Sequence, residues 1–194
     1  MTAENRADRR DAIVRAAFSC MARQGYERTT TAQICTAAGV SSGTFIHYFP
    51  TKAEVLVAVL EGAFERTQEV FERIRRTAVQ DAAAAVEQWR DHVLDEAADE
   101  DLASFVAVLG GVPQHSGVAA VLQAERTLVR DVLIEVAANG QRQGTVRNDL
   151  APDRIATWLA ILTDGVLSHA VEEGPASLEQ LRPEMAAVIT RLLE

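Results

Sequence analysis

Apolar positions recur at three- and four-residue intervals along almost the whole chain, the spacing that lays one stripe down an α-helix, and no segment alternates with the two-residue period of a strand. Ile13, Ala16, Ala17, Cys20 and Met21 form the first stripe, with most arginines on the other side, and predict a helix over about residues 9 to 24 that Gly25 ends. Two shorter helices follow at about 31–38 and 42–48. A long one runs from Thr51 to about Arg76, its Val55, Leu56, Val59, Leu60, Ala63 and Phe64 keeping one face apolar. The same period predicts helices at about 81–98, 102–109 and 117–139, the last ending at Gly140. Gly110-Gly111-Val112-Pro113 breaks the chain, residues 141–151 read as a polar loop, and helices at about 152–172 and 177–193 complete an all-α fold.

The ends of these helices carry their own chemistry. Thr30 with Gln33, Thr51 with Glu54 and Ser177 with Gln180 have the spacing of a capping box, Ser41 can cap the helix after it, and Pro152 suits a first turn. Gly39 supplies a left-handed residue between the helices at 31–38 and 42–48. Two short helices hinged by such a glycine and followed at once by a third make a helix-turn-helix, whose second helix enters the DNA major groove. Its expected mini-core is Ile13, Phe18, Met21, Ile34, Ala38, Val40 and Phe45, leaning on the helix at 51–76. In that arrangement Ser42, Gly43, Thr44 and His47 reach base edges, with Gln33 as a neighbour. None is the arginine that reads guanine with two hydrogen bonds, so apolar contacts and DNA shape carry part of the selectivity. Lys52 falls in a helix's first turn, where a cation opposes the helix dipole, which suggests that it serves a partner.

Gly39-Val40 before Ser41-Ser42-Gly43-Thr44, the run Phe45-Ile46-His47-Tyr48-Phe49 and then Lys52, with Gly25-Tyr26 and Thr29-Thr30 upstream, resemble the DNA-binding signature of the tetracycline-repressor (TetR) family over about residues 9 to 56. The resemblance implies an N-terminal helix-turn-helix domain (1–50) joined through its fourth helix to a larger helical domain (51–194) for ligand binding and dimerisation. It implies a dimeric, ligand-responsive repressor on a palindromic double-stranded operator. Thr30, Tyr48 and Lys52 would then hold phosphates, with His47 on phosphate or base. Three positions depart from the pattern: Ile46 stands where an aromatic is usual, Ala32 where a base-reading arginine is frequent, and Cys35 in place of alanine.

Net charge of −9 argues by itself against a nucleic-acid partner, but its distribution reverses the inference. Residues 1–52 hold seven cations against four anions, a balance of +3, while the remainder holds twelve cations and twenty-four anions, −12. A basic head on an acidic body attracts phosphate locally and repels it elsewhere. The longest apolar run, residues 105–112, is far too short to span a membrane, and no hydrophobic signal core opens the chain, so a cytoplasmic protein is expected. Cys20 and Cys35 have neither metal spacing nor a disulfide framework and read as small buried hydrophobes.

The helix at 152–172 is apolar around more than half its circumference, more than one core can cover. The last two helices are therefore expected to pair with those of a second copy in a four-helix interface, the mode that the family resemblance also implies. Heads about 34 to 36 Å apart would reach successive major grooves on one DNA face, and an unknown small-molecule effector favouring another spacing would release them. Trp89, His92, Phe105, His115, Trp158 and His169 are the larger or titratable candidates for its pocket. Gly39-Val40-Ser41-Ser42-Gly43 fits the Gly-x-Ser-x-Gly elbow of hydrolases, but a polar helix replaces the buried strand that the elbow needs. No metal, cofactor or catalytic constellation is expected. The alternative from another class is an all-helical interaction protein without operator binding.

Overall fold

The structure, a computed structural model, describes residues 3–110, 112 and 115–194, with their side chains except those of residues 3–6, 175, 179 and 180. The described residues are all-helical: α1 (Ala3–Gln24), α2 (Thr31–Ala38), α3 (Ser42–Tyr48), α4 (Lys52–Gln80), α5 (Ala82–Ala97), α6 (Leu102–Gly110), α7 (Ser116–Gln143), α8 (Pro152–Glu173) and α9 (Leu178–Leu193), with a 3-10 turn at Pro175–Ser177. They gather into two compact units, one of residues up to Glu65 with Ser104–Ala124, the other of Arg66–Ala103 with Glu125–Glu194. Of the predicted break at 110–113, Gly110 is the last residue of α6 and residue 112 is non-helical, while 111 and 113 lie outside the described residues.

In the first unit α1 packs on α2, and α2 on α3. Ile13, Met21, Ile34 and Phe45 are buried as expected, joined by Ala17, Cys20, Tyr26, Cys35 and Phe49 and, from α4, by Val55 and Leu56. Ala38 and Val40 lie at the edge of this core. Phe18 departs from expectation: it is only half-buried, its ring tilted against Phe105 at 6.3 Å between centroids. Cys20 and Cys35 are buried free thiols. The core of the second unit centres on Trp89, Phe71, Ile74, Leu94, Leu133, Val136, Ile155 and Leu159, with Met185 and Ile189 from α9.

The α1 helix starts at Ala3, earlier than the expected start near residue 9; three further helix ends differ from the sequence expectation, each for a local reason. The α4 helix continues to Gln80, and Asp81, in extended conformation, caps α5 by accepting from the Ala84 N–H at 2.9 Å. Gln143 fastens this corner, its side chain donating to Ala78 O at 3.0 Å and accepting from Ala82 N at 2.8 Å. Gly140 does not end α7. The helix runs on to Gln143, and the left-handed residue is Gly144 (φ 74°). Gly140 is instead a close-approach position, where an added Cβ would collide with Cγ2 of Val146 as the chain turns back. Ser177 does not cap α9 either. Its backbone is helical (φ −66°, ψ −21°), its side chain makes no cap bond, and its hydroxyl donates to Gly174 O at 2.7 Å; the Gln180 side chain lies outside the described residues.

Gly140→Ala is therefore expected to destabilise the second unit by about 1–3 kcal/mol in urea denaturation, the usual cost of forcing an extra carbon into a packed contact. The same change in a Val146→Ala background should recover part of that loss.

Candidate nucleic-acid interface

A helix of eight residues and another of seven need their ends satisfied to persist. At the start of α2 the capping box closes fully. Thr30, in extended conformation, accepts from Gln33 N at 3.2 Å, while Gln33 Oε1 accepts from Thr30 N at 2.8 Å. Gln24 of α1 donates to the same oxygen at 3.0 Å, tying the box to the preceding helix. At the other end Gly39 takes φ 67° and ψ 32°, and the N–H groups of Gly39 and Val40 return to Thr36 O and Cys35 O. Ser41, extended again, accepts from Thr44 N at 3.1 Å and starts α3, its hydroxyl 2.9 Å from that of Thr44. The Gly-x-Ser-x-Gly run is thus the turn of a helix-turn-helix, with Ser41 spent as a cap.

Burial then sets the rotation of α3. Phe45 (1% exposed) and Phe49 (4%) point into the core with ring centroids 6.2 Å apart, so Ser42, Gly43, Ile46 and His47 face outward. Thr44 is half-buried, and Ile46 is exposed by 60%. His47 meets the half-buried Tyr48 ring edge-on at 5.2 Å, and the Tyr48 hydroxyl is shielded from solvent without a hydrogen-bond partner. A Cβ on Gly43 would meet nothing nearer than Ser41 Oγ at 3.9 Å. The fold therefore does not need glycine there, and a requirement for it would come from outside the chain.

On the other side of α2 a groove of about 430 Å³ is lined by Cys20, Arg23 and Gln24 of α1 and by Ala32, Gln33 and Thr36. The small Ala32 side chain is exposed in it. Arg10 rests its guanidinium 5.4 Å from the Phe49 ring centroid and lies 4.0 Å from the Glu61 carboxylate.

Lys52 is placed differently from the other candidates. The Thr51–Glu54 box forms around it, Thr51 N donating to Glu54 Oε2 at 3.0 Å and Glu54 N to Thr51 Oγ1 at 3.2 Å. Its ammonium donates to backbone oxygens of Tyr26 (2.7 Å), Thr29 (2.8 Å) and Glu27 (3.3 Å) and stands 4.2 Å from the centroid of the Tyr26 ring. Loss of solvent here lowers its pKa, with the Glu27 carboxylate opposing the shift. Thr29 is buried (1% exposed), donating to Gly25 O at 2.9 Å and accepting from Gln24 at 3.3 Å. Neither Thr29 nor this carbonyl cluster figured among the expected site residues; the Gly25-Tyr26 and Thr29-Thr30 pairs were the only sequence trace of them.

The six pocket candidates do not fall together. Phe105 and His115 belong to the first unit and Trp89, His92, Trp158 and His169 to the second. Trp89 is fully buried with its indole N–H unpaired, and the half-buried His92 packs edge-on against Phe71 at 5.6 Å. Trp158 is 45% exposed on α8. A second cavity of about 210 Å³, between α5, α9 and residues 145–146, contains none of the six. Among the described residues no cluster of His, Cys, Asp or Glu could hold a metal, and no helix is long and apolar enough to cross a membrane.

A capped helix, a left-handed glycine turn and a second helix with a polar outward face define a helix-turn-helix protein. Residues 13–59 match the family described as bacterial regulatory proteins, tetR family. An uncharacterized HTH-type transcriptional regulator of Mycobacterium tuberculosis, MT2310, is 31% identical over 173 residues, covering 86% of this chain and 84% of that protein. The HTH-type transcriptional repressor KstR2 of Mycolicibacterium smegmatis is 26% identical over 195 residues, 94% and 89% of the two chains. The fold of the SmeT–triclosan complex superposes with a TM-score of 0.76 at 24% identity, over 95% of this chain and 89% of that one. The chain belongs to the tetR family of bacterial regulatory proteins and is a DNA-binding transcriptional regulator.

Two substitutions separate folding from interface at this site. Ser41→Ala should cost about 1 kcal/mol in thermal or urea denaturation through the lost cap. Gly43→Ala should leave stability unchanged or raise it by up to about 1 kcal/mol, because the helix gains a better former and the new methyl meets open space.

Proposed function

We propose that this regulator is a repressor that binds a palindromic operator as a homodimer and leaves it when a small-molecule effector occupies its second unit. The observation that carries the DNA half is the outward face of α3. The core holds Phe45 and Phe49 inward, so the first turn presents Ser42, Gly43 and Thr44, with Ile46 and His47 one turn further on. In this reading Gly43 lets the helix approach the base edges, Thr44 offers a methyl to thymine, and Ile46 adds apolar contact. Thr30 meets the phosphate backbone and Gln33 lies beside the base-reading turn, whereas the Tyr48 hydroxyl, expected on a phosphate, is shielded from solvent and makes no such contact in this arrangement.

The dimer half rests on α8 and α9. Trp158 and Ile161 on α8 and Val188 on α9 are 45%, 50% and 48% exposed, large apolar side chains that no core among the described residues covers. Gly165, exposed one helical repeat beyond Trp158, leaves room for close approach. A second copy presenting the same stripe covers both, which makes Trp158 an interface residue and leaves the buried Trp89 and the half-buried His92 and His169 as the effector candidates of the second unit. SmeT, of the same fold, holds triclosan; for this chain the buried, unpaired indole N–H of Trp89 favours an apolar ligand carrying a hydrogen-bond acceptor.

The test is selection of duplexes from a random-sequence library by the purified protein. A palindromic consensus is expected, with log affinity falling against log salt by about 0.9 per phosphate contact. Gly43→Ala should lower affinity for that consensus about tenfold or more without loss of stability. Trp158→Arg should sediment as a monomer and bind the full palindrome no better than a half-site. A dimeric Trp158→Arg variant with undiminished affinity would place the interface elsewhere.

A further inference from the structure

We propose that Lys52 is a positioning residue: it staples the start of α4 to the α1–α2 turn and so sets where α2 and α3 stand, instead of holding a DNA phosphate itself. The proposal rests on the DNA-binding reading above but is drawn from the free protein. An ammonium group has three donors and no acceptor. Three backbone oxygens, of Tyr26, Glu27 and Thr29, take them at 2.7, 3.3 and 2.8 Å, and the Tyr26 ring closes another side at 4.2 Å. Engaging a phosphate would mean surrendering one of those carbonyls. The site also explains a cation at a helix start, since converging carbonyl dipoles offset the unfavourable field of the α4 N-terminus.

What Lys52 holds leads directly to the reading helices. The Tyr26 carbonyl it grips also accepts from Thr29 N at 3.2 Å. Thr29 is bonded to Gly25 O and to Gln24, and Gln24 donates to the Gln33 oxygen that closes the cap of α2. A continuous set of bonded neighbours therefore joins the first turn of α4 to the first turn of α2, across more than twenty positions of sequence. Releasing the ammonium frees the turn that precedes the α2 cap.

Lys52→Arg and Lys52→Met distinguish the two roles. Arginine keeps the charge and would still reach a phosphate, but its planar fork cannot present three donors to one small nest of carbonyls. Both variants should lose about tenfold or more in affinity for the duplex selected by the wild type, yet stay within about twofold on an unrelated duplex of equal length. Lys52→Arg should keep the wild-type salt slope. In the DNA-free proteins, amide hydrogen exchange should quicken over residues 26–33 in both variants and stay unchanged in the middle of α1 and α4. Retained affinity in Lys52→Arg, with Lys52→Met losing equally on both duplexes and about 0.9 of slope, would make Lys52 a phosphate ligand and overturn the proposal. Unchanged exchange over 26–33 overturns it too, as does faster exchange with equal losses on both duplexes, which leaves a stability role alone. If the wild type selects no duplex, the DNA-binding reading fails, and Lys52 then positions nothing that reads DNA.

Discussion

Short helices do not hold themselves together in water, and the reading head of this protein is made of two of them. The outward face of α3 depends on satisfying the free N–H groups at the starts of α2 and α3 and on burying Phe45 and Phe49 beneath them. The caps fix where each helix begins. The two phenylalanines fix which way α3 is turned, and a rotation by one residue would exchange the polar face for the aromatic one. Gly39, in the left-handed region, fixes the corner between the helices. In the proposed reading the selectivity of the regulator is a by-product of these three constraints, since the residues left facing out are those that the core has no use for.

The turn between α1 and α2 shows the same economy of polar groups. Its carbonyls at Tyr26, Glu27 and Thr29 are not used by helix bonds of their own; Tyr26 O accepts only from Thr29 N within the turn, and at the buried Tyr26 and Thr29 a carbonyl left short of partners is costly. Lys52 meets all three from the next domain-spanning helix in the chain, whose residues to Glu65 belong to the first unit and from Arg66 to the second. The same lysine thus settles two local problems, the carbonyls of the turn and its own position at the wrong end of a helix dipole.

The second unit has the opposite surplus. Trp89 and its neighbours fill one core, while Trp158, Ile161 and Val188 remain outside it. In the proposed assembly an acidic body with an apolar stripe and a basic head with a polar one suit different partners, so the two kinds of association do not compete. Ile46, an apolar side chain 60% exposed on α3, would in the proposed reading meet base or sugar by shape instead of by charge.

How much of this was legible beforehand follows the range of the forces involved. Capping boxes at Thr30–Gln33 and Thr51–Glu54, the Ser41 cap and the Gly39 turn act over three or four residues, so the amino-acid order alone determines them, and with them the helix-turn-helix and its family. Gly140 and Ser177 were misread by the same local rules, because a glycine near a helix end resembles a terminator until the return of Val146 against it is known, and a serine before a helix resembles a cap until its hydroxyl is seen on Gly174. The placing of Trp89 and Trp158, alike in sequence as large apolar residues at helical spacing, needed the packed core to show one buried and the other bare. Lys52 stood out by its helix position alone, but the oxygens that answer it lie more than twenty residues upstream. A chain specifies its helices through contacts between near neighbours; which charges are answered, and which apolar faces stay uncovered, is decided only when distant segments are folded against each other.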